Sequence, residues 1–374
     1  MFLNLLMTDL RGGDAKAFAN FTRLSPDLFF FLLDRIGPQI TKKDTNWRKA
    51  LKPELKLAIT LRYLATGDSY KSLAYGFRVA NNTISVFIPE VCQALIDHLS
   101  DEFMELPQEP EQWLDIAEQF YLKWNLPHCI GALDGKHVAI KCPKKSGSLY
   151  YNYKQFFSIV LMALVDANYR FIYINVGAPG AGSDGGVFAN TMLKTLIEDN
   201  ALGLPPPEPL TGCTSDLPYF IVADEAFALK PWLMKPYPRR NMAIEQRIYN
   251  YRISRGRRVV ENAFGILAAR FRCLLGTMPQ SPERVTKVVI AICILHNILR
   301  HQRGRADPAA VDREDPITHD VIPGEWRQNE RHLPDLGQAP TTGHAAGKRA
   351  KAVRQYLQDW FNGPGSVPWQ LEKA

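Results

Sequence analysis

Along the first hundred residues, apolar positions recur at helical spacing. LSPDLFFFLLDRIG puts Ser25 ahead of Pro26 and Asp27, a capping hydroxyl followed by a residue of preset φ and a first-turn acid, and so predicts a helix start. PELKLAITLRYLATG predicts a second helix. DSYKSLAYGFRVANNTISVFIPEVCQALIDHL then reads as a short helix, a turn around Gly76 to Asn81 and a helix beginning near Asn82. This is the outline of a helix-turn-helix, whose second helix would offer Asn82, Thr83 and Ser85 to a DNA groove, although any short helical hairpin shares it. Residues 1–105 are expected as an all-helical region with the helix-turn-helix near 68–98, and 106–128 as a connector.

From about 129 the pattern changes to strands. CIGALDGKHVAIKC, FFSIVLMALVD and RFIYINVGA are apolar and β-branched, with DANYR at 166–170 as a turn between the second and third. A Gly-rich loop, a capped helix over roughly 187–199 and the breaker PPPEP follow. YFIVA at 219–223 predicts a fourth strand, ending in Asp224, and helices fill most of 241–302. A three-strand meander, a crossover helix, another strand and then helices predict an α/β layer fold over 129–302. Past 303 the chain turns polar and rich in Pro and Gly, which predicts a loop or linker over 303–346 before a C-terminal helix and tail over 347–374.

At 374 residues the chain can bury a sizeable core, and 46% hydrophobic with 22% charged residues marks it as globular. A formal charge of +7 and a pI near 9.0 point toward a polyanionic partner. The distribution says more: RRNMAIEQRIYNYRISRGRR at 239–258 holds seven arginines against one glutamate, interleaved with Tyr249 and Tyr251. Such a run reads as a solvated helix face or as a nucleic-acid contact. The six cysteines form no CxxC pair and read as buried thiols in a reducing compartment rather than zinc ligands. MFLNLLM lacks the flanks of a secretory signal, and SIVLMALV stops at Asp166, far short of the roughly 20 residues of a membrane span. The expectation is a soluble intracellular chain with no membrane partner.

Two motifs mislead. Gly180, Gly182 and Gly185 satisfy GxGxxG after a strand, yet a dinucleotide site opens its fold on the first strand and here three strands precede it; a loop whose Ser183 or Asp184 caps the next helix fits better. YFIVADE imitates a Walker B strand, but no GxxxxGK[ST] accompanies it.

Three carboxylates stand apart. Asp134 interrupts the apolar run CIGALDGKHVAI, where it reads as a turn residue of LDG or as a buried charge needing a partner or metal. Asp224 closes a buried strand at its carboxyl end, the edge where α/β sheets place ligands. Glu261 lies in VVENAFGILAAR, just past the apolar arc formed by Val259, Val260, Ala263, Phe264, Leu267, Ala268 and Phe271, beside Gly265 and within reach of Arg257 and Arg258. If the strands bearing Asp134 and Asp224 are neighbours, the two carboxylates converge, and a helix laid across the strand ends adds Glu261. Divalent cations between them would relieve the repulsion. Mg²⁺ suits such oxygen ligands, and two ions about 4 Å apart would serve phosphodiester cleavage.

GALDGKHVAI, GAPGAGSDGGVF, VADEAFALKPWLMKPYP, NYRISRGRRVVENAFGILAARFR and AICILHN together resemble the PIF/Harbinger superfamily of DNA transposases and their domesticated nuclease relatives. RLSPDLFFFLLDRIGPQI, TISVFIPEVC and GSVPW extend the resemblance over most of the chain. It implies an RNase H-like catalytic domain, a mixed sheet flanked by helices, whose DDE triad is Asp134, Asp224 and Glu261, with Mg²⁺ as a pair of ions and Mn²⁺ as substitute. It also implies an N-terminal helix-turn-helix that binds transposon ends, and cut-and-paste transposition into target DNA. Asp184 falls on a recurrent acidic position, with a supporting role. Arg252, Arg255, Arg257 and Arg258 would hold the DNA. A Myb-like accessory protein, at least a dimer, and nuclear residence, or cytoplasmic residence without the partner, complete the expectation. ADEAF departs from the GDSAY of many members and sets Glu225 beside Asp224.

Overall fold

The computed structural model describes residues 15–46, 49–303, 311–328, 331–336 and 347–374. MFLNLLM and most of the polar stretches 303–310 and 337–346 lie outside the described residues. The N-terminal part is helical: α1 (Ala15–Thr22), α2 (Pro26–Ile40), α3 (Pro53–Thr66), α4 (Tyr70–Phe77), α5 (Asn81–Phe103) and α6 (Pro110–Trp124). Strands β1 (Cys129–Ala139), β2 (Ser158–Val165) and β3 (Phe171–Pro179) follow, then α7 (Asp184–Ala189), α8 (Met192–Glu198), β4 (Glu208–Pro209), β5 (Asp216–Leu217), β6 (Phe220–Val222) and β7 (Leu233–Met234). The long helix α9 (Ile244–Arg270), a 3₁₀ turn (Arg272–Leu275) and α10 (Pro282–Arg303) precede β8 (Arg313–Glu314), β9 (Val321–Ile322), a second 3₁₀ turn (Glu325–Gln328), α11 (Lys348–Asn362) and α12 (Gln370–Lys373).

Local chemistry accounts for the helix starts. The Ser25 hydroxyl accepts from the Leu28 amide with Pro26 behind it, and Ser69 accepts from Ser72 at the start of α4. Arg78 ends α4 in the left-handed region (φ 53°), and the chain bends by 105° into α5. That angle lies in the range of helix-turn-helix pairs. Residues 106–128, expected as a connector, carry α6, which packs on β1 through a helix face on which Trp113, Phe120 and Trp124 are buried. No single helix among the described residues is long and apolar enough to cross a membrane.

The five-stranded sheet has the order β3-β2-β1-β6-β7. β1, β2 and β3 form the antiparallel meander, while β6 runs parallel to β1 and β7 parallel to β6, so the sheet is mixed. β1 and β2 are buried almost throughout because helices cover both faces: α6 and α9 pack on β1, and α10 packs on β3. Gly256 lets α9 approach closely, since a Cβ there would lie 2.5 Å from Leu126 Cδ2. One apolar core extends from Phe18 to Phe361, the helical region joining the sheet where α5 packs on α10.

Candidate active site

The sheet register brings the first two carboxylates together. Ala132 of β1 pairs with Val222 of β6 in parallel, so Asp134 and Asp224, each two residues further on, stand at the same level of neighbouring chains. Asp134 sits within the unbroken strand β1, opposite Ala163, and not in a turn. Asp224 follows the end of β6, where its Oδ1 accepts from the Ala226 amide at 2.9 Å. α9 crosses this edge with Glu261, and Ser183 caps α7 so that Asp184 opens the helix. All four carboxylates line one cleft of about 590 Å³, together with Glu225 and Asp335.

Burial and mutual repulsion dominate the electrostatics. Asp184 is 2% exposed, and its Oδ1 is buried with no hydrogen-bond partner among the described residues. Burial, then the charges of Asp224 and Asp134, push its carboxyl up to about 8. Asp224 is raised by burial and by Asp134. Asp134 has a cation of its own, with Lys136 Nζ 3.0 Å from its Oδ2. Burial of Lys136 opposes its charge, but Asp134 and Asp335 outweigh burial and hold the ammonium above the usual lysine range. Glu261 is held from two sides, by Arg257 at 2.6 Å one turn back and by Arg327 at 3.8 Å.

The pairing of Glu261 with Arg257 is the ordinary helix-surface arrangement, and the small-residue strip at Gly265 is filled by the protein itself. A Cβ on Gly265 would lie 2.2 Å from Trp326 Cδ2. The indole NH donates to Asn262 Oδ1 at 2.8 Å, which also accepts from the Asp312 amide. Buried Asp312 in turn holds the Arg327 guanidinium at 2.6 to 2.9 Å. The described parts of the expected loop 303–346 are thus bound to α9. Residues 334–335 also pair along β1, where the His137 amide donates to the Pro334 carbonyl at 2.8 Å and Lys136 bridges to Asp335. β6 is only three residues long, so this edge of β1 is open to them.

The structure corrects part of the arginine assignment. Arg252 and Arg255 are 1% and 4% exposed and face inward. Arg252 donates to the carbonyls of Gly365 and Asn125 and to Gln370 Oε1, while Arg255 donates to Glu314 at 2.9 Å and Asn125 Oδ1 at 3.0 Å. Both fasten the C-terminal segments and are closed to DNA phosphates. Arg258 is half-buried, and Arg257 lines the cleft. On α5, Asn82 is exposed and Thr83 half-buried, while the Ser85 hydroxyl donates to the Asn82 carbonyl at 2.8 Å. Sequence reasoning missed Lys136, Arg327 and Asp335. Lys136 was within reach of it, two residues after Asp134 and therefore on the same face of the strand.

Among the described residues no three His, Cys, Asp or Glu side chains are arranged to hold a metal ion. Charge nonetheless favours one. An orphaned, buried carboxylate oxygen beside two further aspartates is what a cation relieves, and Lys136 and Arg257 already stand as counter-cations on Asp134 and Glu261.

Residues 133–297, which contain all four carboxylates, match the DDE superfamily endonuclease family. The chain is 27% identical over 272 residues to HARBI1 of Mus musculus, named as a candidate nuclease, covering 72% of this chain and 73% of that one. It is 28% identical over 297 residues to the ALP1-like protein of Arabidopsis thaliana, covering 76% and 71%. It is 25% identical over 295 residues to the Arabidopsis protein antagonist of like heterochromatin protein 1, covering 76% and 72%. No solved structure matches the chain. Residues 133–297 therefore carry a DDE superfamily endonuclease domain, and the chain is homologous to HARBI1 and the ALP1-like protein. Its enzymatic class is that of a nuclease.

Proposed function

We propose that the chain cleaves DNA phosphodiesters in an RNase H-like domain, with Asp134, Asp224 and Glu261 holding a pair of Mg²⁺ ions for which Mn²⁺ substitutes. The observation that carries this reading is the shared register of Asp134 and Asp224, with α9 adding Glu261 to the same cleft. Bound divalent ions would lower the pKa of an attacking water and offset charge on the leaving oxygen. The chain's own residues set up the rest. The backbone of β1 and the turn after β6 fix the two aspartates. Arg257, once released from Glu261, and Arg239 on the same cleft offer guanidinium donors to non-bridging phosphate oxygens. Asp184, buried beside Asp134 and Asp224 with no hydrogen-bond partner for its Oδ1, has a supporting role and would add its charge once a cation lets it ionise.

The reaction we assign is cut-and-paste transposition, in which hydrolysis frees transposon ends and their 3′-hydroxyls attack target DNA. The exposed Asn82 and the 105° bend support α4 and α5 as the end-binding helix-turn-helix, with Thr83 and Ser85 beside it. The second reading is a domesticated DNA-binding nuclease or regulatory protein that no longer transposes, and the name of the HARBI1 relatives includes the word nuclease. Nuclear residence, a Myb-like accessory protein and at least a dimer accompany either reading, with cytoplasmic residence in the partner's absence.

The test incubates purified protein with candidate element ends and Mg²⁺, beside Asp134→Asn, Asp224→Asn and Glu261→Gln. Cleavage falls by orders of magnitude in each variant while melting behaviour holds. Variants that cut like the parent overturn the triad. Joining of cleaved ends to target DNA selects transposition; cleavage without joining selects the domesticated nuclease.

A further inference from the structure

Three cavities follow one another along α9 and its C-terminal end, each sharing lining residues with the next. The carboxylate cleft of about 590 Å³ shares Glu261 and Asp335 with a second cavity of about 270 Å³, which shares Arg331 with a third of about 740 Å³. The walls step along α9 from Glu261 through Phe264 and Gly265 to Ala268, and Arg272 follows in the 3₁₀ turn after the helix. From Glu261 to Ala268 the helical rise covers about 11 Å, about three base pairs of duplex, and Arg272 lies beyond the end of α9. At the far end stand Ser69 and Tyr70, the start of α4.

This far cavity is built for an anion. Arg272 and Arg331 are exposed on it, and neither has an ion-pair partner among the described residues. Behind Arg272 lie Arg23 and Arg62, and the Arg23 Nε is buried without a hydrogen-bond partner. Burial, then repulsion from Arg272 and Arg62, hold the Arg23 guanidinium below its usual range. The carboxylate in reach is Asp68, 3.9 Å from Arg62. Arg23, Arg62 and Arg272 set against Asp68 leave positive charge that a phosphate would neutralise.

Resting on the nuclease reading above, we propose that this groove carries the phosphate backbone of the DNA flanking the scissile bond, with Arg272 and Arg331 each taking a phosphate on the way from the carboxylates to the helix-turn-helix. The groove's length excludes a single nucleotide as the occupant. It also supplies the basic track that Arg252 and Arg255, turned inward, do not.

The experiment measures duplex binding by fluorescence anisotropy in chelator across a range of salt, for the parent, Arg272→Ala, Arg331→Ala and the double variant. Lys348→Ala with Lys351→Ala, exposed on α11, serves as control. The slope of log affinity against log salt falls by about 0.9 for each single variant and about 1.8 for the double, and not for the control. Both arginines are exposed, so melting temperatures hold. A parent that binds DNA and a double variant with unchanged slope overturn the groove and leave the nuclease reading standing, as does an equal loss in the control pair. A parent that binds no DNA overturns both.

Discussion

Asp184 makes metal-free protein sensitive to pH in a direction opposite to the usual carboxylate. Its carboxyl titrates near 8 in the folded chain against 3.8 for an ordinary aspartate, because burial and the charges of Asp224 and Asp134 disfavour ionisation. Below 3.8 the group is protonated whether the chain is folded or not, and its contribution to stability is complete. Between 3.8 and about 8 the unfolded chain releases a proton that the folded chain keeps, so stability falls as pH rises. The loss is about 1.4 kcal/mol per pH unit, on the order of 5 kcal/mol over the window and less where Asp224 shares the proton. With about 2 cal/mol/K of unfolding entropy per residue, a chain this long loses roughly 1 °C of melting temperature per kcal/mol. Asp184→Asn keeps the shape and removes the titration. The variant should therefore gain on the parent by several degrees between pH 5 and pH 8, measured by calorimetry in metal-free buffer, and Mn²⁺ should close the gap at pH 8. A difference between variant and parent that stays constant across that range refutes the argument.

Three further perturbations probe the surroundings. Arg255→Ala leaves Glu314, whose side chain is 12% exposed, without its guanidinium and should cost about 3 kcal/mol in thermal or denaturant unfolding while leaving the salt slope of DNA binding unchanged; a reduced slope at full stability would place Arg255 on DNA after all. Gly265→Ala drives a methyl into the Trp326 ring and should cost about 1–3 kcal/mol, with faster proteolysis within 311–328 read by mass spectrometry; an unaltered digest would mean that the indole does not pin this segment. Lys136→Met removes the ammonium from Asp134 and should tighten Mn²⁺ binding in calorimetric titration, whereas equal or weaker binding would deny Lys136 its role as counter-cation.

How far the residues disclose this arrangement depends on the range of the forces that set it. Strands β1, β2, β3 and β6 are legible because their apolar runs are local, and the placing of Asp224 follows from the strand it ends. The inward turn of Arg252 and Arg255 is not legible. An arginine-rich helix shows the same pattern whether it meets water or a tail, and the groups that decide, Gly365, Gln370 and Glu314, lie far along the chain. The segment from 311 to 336 reads as a linker because its composition is polar. Its order comes from Asp312, fully buried and satisfied by Arg327 and the Gly324 amide, a device that hydropathy scores as a loop.

The same distinction separates the members of the site. Asp134 and Asp224 are placed by main-chain pairing, which the whole sheet would have to break to undo. Glu261 is placed by two ion pairs at a cleft, to Arg257 and Arg327, whose side chains are 26% and 41% exposed. Pairs so open to water contribute little to stability, so exchanging an arginine for a divalent cation or a phosphate costs the fold little. The carboxylate at the edge of the apolar arc is thus the one that can change partners, and the arginine it releases remains at the cleft to meet the substrate.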